Sequence, residues 1–290
     1  YSRPEAWAKN VISIGGVRHF NNSDASDDSW TWGASIGPAE DGRLKPELAH
    51  FYDASNTLSS SGGYAQFSGT SNATPVVAGH LGLFLQMWAD GLFGNSVPGG
   101  TVFENRPHAT TAKAMLINTA QQYAFAGFVH DLSRTHQGWG LPNLRTLYDN
   151  RASFLITDET IPLKALQTYD QLITVPAGSG ALRATLVFND PPSAPGATKA
   201  AVNDLTLRVV APSMTEYWGN HGLNKGNWST PGGHPNTVDT VENVFVRYPA
   251  KGTWLIQVVA DAVVQDGHVE TPALDADFAL AIRTSASDAL

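Results

Sequence analysis

The stretch Gly69-Thr70-Ser71-Asn72-Ala73-Thr74-Pro75-Val76-Val77-Ala78-Gly79 decides how this chain reads, because it sets one serine at the mouth of a helix. The residues before it, Tyr64-Ala65-Gln66-Phe67-Ser68-Gly69, read as a short apolar strand or extended segment ending in glycine. Pro75 is placed in the first helical turn, where a missing N–H does no harm. Beyond it, Val76, Val77, Leu81, Leu83, Phe84, Leu85, Met87 and Trp88 lie on every side of a helix that ends near Gly91. Apolar residues all round predict a largely interior helix. Such a helix aims free N–H groups and a positive dipole end at any charge developing beside Ser71, which makes Ser71 a candidate nucleophile. A serine ahead of a helix is also the ordinary N-cap, so the helix start alone does not single out catalysis.

The full pattern G-T-S-x-A-x-P-x-V-A-G has eight defined positions in eleven and resembles the nucleophile segment of the subtilisin-like serine peptidases. Ala8-Lys9-Asn10-Val11-Ile12-Ser13-Ile14-Gly15-Gly16 is similar to the family's strand after the oxyanion-hole region. Gly37-Pro38-Ala39-Glu40-Asp41-Gly42-Arg43-Leu44-Lys45-Pro46-Glu47 resembles its G-P-x-x-D-G-R-x-K-P-D/E segment. Ala112-Lys113-Ala114-Met115-Leu116-Ile117-Asn118-Thr119-Ala120 and Gln137-Gly138-Trp139-Gly140 resemble its later core helix and closing turn, and the order of the segments agrees. The resemblance implies that residues 1–150 are the second half of an α/β, parallel-sheet catalytic domain. It further implies a serine endopeptidase acting on protein or peptide substrates without a catalytic cofactor. Ser71 would be its nucleophile, with Gly69 and Thr70 beside the oxyanion.

The family orders its triad Asp, His, Ser, with the histidine roughly 150 residues ahead of the serine, whereas 70 residues precede Ser71 here. The base, its carboxylate and the oxyanion asparagine are therefore expected on an upstream segment. That segment is either a separate N-terminal fragment of the same precursor or part of a longer chain. His19 and His50 are the upstream histidines, and both fall in segments whose family counterparts are structural. The one Gly-Asn-x-Gly sequence, Gly219-Asn220-His221-Gly222, follows Ser71 and reads as a loop. Where the family has K-P-D-x-x-A-P-G, this chain has Lys45-Pro46-Glu47-Leu48-Ala49-His50-Phe51-Tyr52. Losing Pro and Gly changes the backbone angles available to the loop before the nucleophile. That change leaves room for a second reading, a catalytically inactive homologue whose C-terminal part is a binding module.

Near residue 150 the texture changes to short alternating runs separated by Gly, Pro, Asn and Asp, the pattern of an all-β unit over 151–290. Strands are expected at 182–188, 205–210, 244–248, 253–259 and 278–282, a spacing that fits a sandwich or jelly roll. Leu186-Val187-Phe188-Asn189-Asp190-Pro191, Val202-Asn203-Asp204-Leu205, Val241-Glu242-Asn243-Val244 and Gly252-Thr253-Trp254 resemble the C-terminal jelly-roll, P-domain-like β-barrel of some bacterial alkaline subtilisin-like proteases. Asn189, Asp190, Asn203, Asp204, Asp239 and Glu242 are candidate oxygen ligands for structural Ca²⁺, although Asx residues at strand ends are also ordinary turn formers. Thr206 stands where the relatives often carry a second aspartate.

Composition bounds the rest. At 290 residues and 42% hydrophobic content the chain can bury one large or two medium cores. It has no cysteine, which excludes disulfides and thiolate-held metals. Net charge is −8, from 26 acidic against 18 basic residues, with no basic stripe, so no nucleic-acid partner is expected. No apolar run reaches membrane-spanning length and no signal-peptide pattern opens the chain; the extracellular location that the resemblance implies is expected to depend on an export signal further upstream. His221, His234 and Trp228 share a Gly- and Asn-rich loop without metal-ligand spacing.

Overall fold

The computed structural model of the chain describes residues 4–31, 33–125 and 131–285. Two short strands, β1 (Ile14–Val17) and β2 (Leu48–Phe51), pair in parallel with Ile14 opposite Leu48, and they make up the parallel sheet of this half. An antiparallel hairpin follows, β3 (Ser55–Leu58) and β4 (Tyr64–Phe67), turning through Gly62 and Gly63 at positive φ. Helix α1 (Thr70–Ala89) then lies against β1 and β2. It stops where expected: Gly91, at φ +70°, donates its N–H to Trp88 O while Leu92 N–H reaches back to Met87 O. These paired bonds satisfy carbonyls that the helix end would otherwise leave open.

The expected interior position of α1 is corrected. Asn72, Ala73, Val77, Phe84 and Trp88 are buried, but Ser71, Thr74, Pro75, Ala78, Gly79, Gly82, Leu83, Leu85 and Gln86 are exposed. The physical reason is one-sided packing: strands and α2 cover one face, and nothing among the described residues covers the other. Pro75 is also further along than expected. The helix starts at Thr70, so Pro75 stands in the second turn and cannot donate to the Ser71 carbonyl.

Helix α2 (Ala109–Thr119) is buried from Thr110 to Thr119 and draws two of the sequence segments together. Its Lys113 Nζ lies 2.9 Å from Glu47 Oε1, which Lys45 also contacts, while Ser13 donates to Glu47 Oε2 from N–H at 2.8 Å and from Oγ at 2.6 Å. A buried carboxylate is stable only when charges and hydrogen bonds compensate it. The short helix α3 (Arg134–Gln137) leads into Gly138-Trp139-Gly140, where Trp139 N–H bonds Glu47 O and Gly140 O accepts from Ala49 N–H. Gly138 sits at φ +59°, and a Cβ there would fall 2.7 Å from the Glu47 carbonyl oxygen, so glycine is required by both angle and space. Helix α4 (Leu144–Asp149), capped by the Asn143 side chain, closes this part.

The remaining strands are β5 (Phe154–Asp158), β6 (Thr168–Val175), β7 (Ala181–Val187), β8 (Asp204–Val210), β9 (Glu216–Trp218), β10 (Val241–Arg247), β11 (Gly252–Ala262) and β12 (Ala279–Ser285). They form two antiparallel sheets of four, ordered β10-β7-β12-β5 and β6-β11-β8-β9. All five expected strands are present. Leu182, Ala184, Leu186, Val244 and Ile282 of one sheet share a core with Leu205, Leu207, Trp254 and Ile256 of the other. Strand β7 is buried along its whole length because its alternate residues Arg183, Thr185 and Val187 point the other way, toward α2. There Asn118 Nδ2 lies 3.1 Å from both Thr185 Oγ1 and Ala281 O. The apolar cluster around Met115, Leu116 and Trp139 runs without interruption into Phe154, Val187 and Phe245. Helical and all-β parts thus share one core across residue 150.

Candidate active site

Gly69 precedes α1 at φ +93° and donates its N–H to Tyr52 O at 2.6 Å, which turns the chain sharply from the hairpin into the helix. Glycine takes that angle without strain. Thr70 and Ser71 follow in the first turn, and Asn72 anchors the turn from beneath through Nδ2 to Ser55 Oγ at 2.6 Å and Phe51 O at 3.2 Å. Ser71 is exposed, and among the described residues neither its hydroxyl nor its N–H has a hydrogen-bond partner. A free hydroxyl, a free N–H and a helix N-terminus converge on one solvent-facing point, where an oxyanion would be stabilised.

The carboxyl ends of β1 and β2 face the same region. Asp53, just past β2, takes His19 Nδ1 at 2.7 Å and the N–H groups of His19 and Phe20 at 3.0 Å. The His19 ring stacks on Phe51, with centroids 4.4 Å apart. His50 lies 5.2 Å from His80, ring to ring. Its Nδ1 accepts the Phe51 N–H at 2.8 Å, and burial, with His80 and His19 nearby, pushes it down to about 4, so it is neutral at pH 7. None of these histidines hydrogen-bonds Ser71 among the described residues. The His19–Asp53 pair has the imidazole–carboxylate geometry of an oriented base. Sequence reading named His19 but missed Asp53, because 34 residues separate the pair and only the β2 register joins them.

Asn220 of the Gly-Asn-x-Gly loop is structural: its side chain bonds Asp239, Val241 O and Asn243 N–H. The six residues expected to hold calcium do not gather at one point. Asp190 is occupied by Lys9 Nζ at 2.5 Å and by the N–H groups of Val202 and Asn203. Asn203 spends its side chain on Val264, Gln265 N–H and Gln265 O. Asp239 accepts from Leu44 N–H, Asn220 and Asn236. Asn189 reaches Glu159 at 3.4 Å. Glu242 crosses from β10 to take Leu207 N–H on β8, and burial, with Asp239, Asp204 and Asp261 adding, raises its carboxyl well above the ordinary range. Asp204 is pushed up to about 6 by burial, and no side chain or N–H among the described residues bonds its carboxylate. Among the described residues, the group in which three potential ligand atoms lie within 4.8 Å of one another is His268, Glu270 and Asp277.

Residues 1–140 match the family model Peptidase_S8, described as the subtilase family, which is just under half of the chain. No curated protein matches it. Among solved structures, the propeptide form of a Bacillus licheniformis lipase is similar at 11% identity over 46% of this chain and 22% of its own, with a TM-score of 0.26. A Sulfurospirillum deleyianum protein is similar at 9% identity over 45% of this chain and 96% of its own, with a TM-score of 0.24. The chain therefore spans less than a quarter of the lipase, and superpositions this loose carry no argument about fold or activity.

Proposed function

We propose that this chain is the nucleophile-bearing part of a subtilisin-like serine endopeptidase that hydrolyses peptide bonds, with Ser71 as nucleophile. The observation that carries the reading is the free hydroxyl and free N–H of Ser71 in the first turn of α1, inside the region that matches the subtilase model. Ser71 Oγ attacks the scissile carbonyl carbon while a histidine takes its proton and returns it to the leaving amine, and a carboxylate holds the imidazole tautomer. The oxyanion accepts the Ser71 N–H and a second donor from an asparagine side chain, beside Gly69 and Thr70.

No base reaches Ser71 among the described residues, so the histidine, aspartate and asparagine come from a further segment of the same precursor. The exposed face of α1 supports a seat for it: Ala78, Gly79, Gly82, Leu83 and Leu85 are small or apolar and face solvent. Covering such surface is favourable by about 25 cal/mol per Å². The two-sheet part reads as a jelly-roll, P-domain-like unit of a secreted enzyme. A structural Ca²⁺ belongs to the same reading, with Asp204 its unengaged carboxylate, and a protein that retained no calcium after dialysis against chelator would remove it.

The test is hydrolysis of a denatured protein substrate by the chain mixed with the polypeptide encoded upstream of it. The reading predicts cleavage by the mixture and none with Ser71→Ala. A mixture that forms a complex yet cleaves nothing would instead favour the inactive homologue whose sandwich binds a partner, the reading suggested by Ala49-His50-Phe51-Tyr52 in place of the Pro-Gly turn.

A further inference from the structure

The irregular connection between β11 and β12 carries side chains that the peptidase chemistry does not use. His268, Glu270 and Asp277 each present one ligand atom, and these atoms lie within 4.8 Å of one another. One imidazole nitrogen and two carboxylate oxygens form a donor set suited to a borderline divalent ion such as Zn²⁺.

Two independent features point at an ion. Asp277 is only 7% exposed, yet no other described residue donates a hydrogen bond to its carboxylate, which is aimed into the group. Its own backbone N–H is the one donor to it among the described residues, and a little-exposed carboxylate with no donor from elsewhere favours a cation beside it. The second feature is the orientation of the histidine. His268 Nδ1 lies 3.1 Å from Asp275 Oδ1, and Asp275 is buried and held through its backbone carbonyl by Gly267 N–H at 2.8 Å. That contact fixes the proton on Nδ1 and leaves Nε2, 3.7 Å from Glu270 Oε2, as the free lone pair. A carboxylate behind the imidazole is how proteins orient metal-binding histidines.

We propose that His268, Glu270 and Asp277 bind one Zn²⁺ ion, with Asp275 as the positioning residue behind His268. The site is separate from Ser71 and shares no residue with the six calcium candidates. Its ligands come from both ends of one loop, so the ion clamps that loop closed where the chain enters β12.

The test is calorimetric titration of the metal-stripped 290-residue chain with ZnCl₂, repeated with Co²⁺ to read visible absorption. The main variant is Glu270→Ala, because that side chain is 70% exposed and its removal leaves the fold intact. His268→Ala is the second variant, with far-UV circular dichroism to confirm folding. The expected result is one Zn²⁺ per chain, weakened by at least about tenfold in each variant, and by about 10–100-fold in Asp275→Asn with an altered Co²⁺ spectrum. Substoichiometric Zn²⁺, binding unchanged in Glu270→Ala and His268→Ala, or a response to Ca²⁺ alone would each overturn the proposal.

Discussion

Replacing Glu47 with glutamine keeps the size of the side chain and removes the single anion between two buried ammonium groups. Glu47 is 2% exposed, and the Lys45 and Lys113 side chains are 4% exposed each. Both lysines keep carbonyl acceptors, Ala8 O at 2.8 Å for Lys45 and Val11 O at 2.9 Å for Lys113, but among the described residues neither keeps a paired counter-charge. If the glutamine oxygen retains the two Ser13 donors, its NH₂ group faces two ammonium ions. Removing one partner of a buried ion pair costs about 3–5 kcal/mol. At about 2 °C per kcal/mol for a chain of this size, the melting temperature falls by about 6–10 °C. Urea unfolding followed by tryptophan fluorescence at pH 7 measures this, with Glu47→Gln/Lys113→Met as companion. The double variant recovers about 1–3 kcal/mol because one stranded charge is gone.

Burial opposes ionisation of Glu47, but Lys113 and Lys45 outweigh it and hold the carboxyl below its ordinary range. A group whose folded pKa is depressed contributes stability that is present above the unfolded value and lost as pH falls through the folded one. The gap between wild type and Glu47→Gln therefore narrows in acid. A loss under about 1 kcal/mol at pH 7, the range of exposed pairs, would refute the placement of Glu47 as the buried link between the two sequence segments.

Other substitutions test other parts. Ser71→Ala leaves stability within about 0.5 kcal/mol by urea unfolding, since the side chain is exposed and unbonded; a larger loss would make Ser71 a structural cap. Gly138→Ala destabilises by more than about 1 kcal/mol because alanine fits neither φ +59° nor the approach to Glu47 O, and an unchanged melting temperature would contradict that geometry. Glu242 has a folded pKa raised above its unfolded value, so the wild type loses stability as pH rises between the two. Melting curves of Glu242→Gln at pH 5 and pH 8 should show the variant gaining on wild type at the higher pH, and a constant difference would show Glu242 to be ionised in the fold.

Local signals carried much of this fold into the sequence. The helix stop at Gly91 was legible because a left-handed glycine is a short-range requirement, and the strands of the sandwich because alternation is local. In the all-β part, strands β5, β6 and β9 escaped notice: β5 has five residues, β6 carries Asp170 and Gln171 in its middle, and β9 has three residues. The exposure of α1 was not legible, since apolar residues on every side say that a helix wants cover without saying whether this chain supplies it. Asp190 looked like a metal ligand by type, and only the fold reveals that Lys9, 181 residues away, fills the place of a cation. Asp53 behind His19 and Asp275 behind His268 were hidden for the same reason, because second partners are chosen by packing.

The central claim is that Ser71 is a nucleophile whose base lies on another segment, and intact mass spectrometry after exposure to a fluorophosphonate probe tests it most directly. Such a probe labels a serine activated by an adjacent base. The account predicts no adduct on the isolated 31.0 kDa chain. It predicts a single adduct on Ser71 when the upstream polypeptide is bound, lost in Ser71→Ala. An adduct on the isolated chain that disappears in His19→Ala would contradict it by placing the base in the His19–Asp53 pair, and an assembled complex that takes no label would contradict the peptidase reading itself.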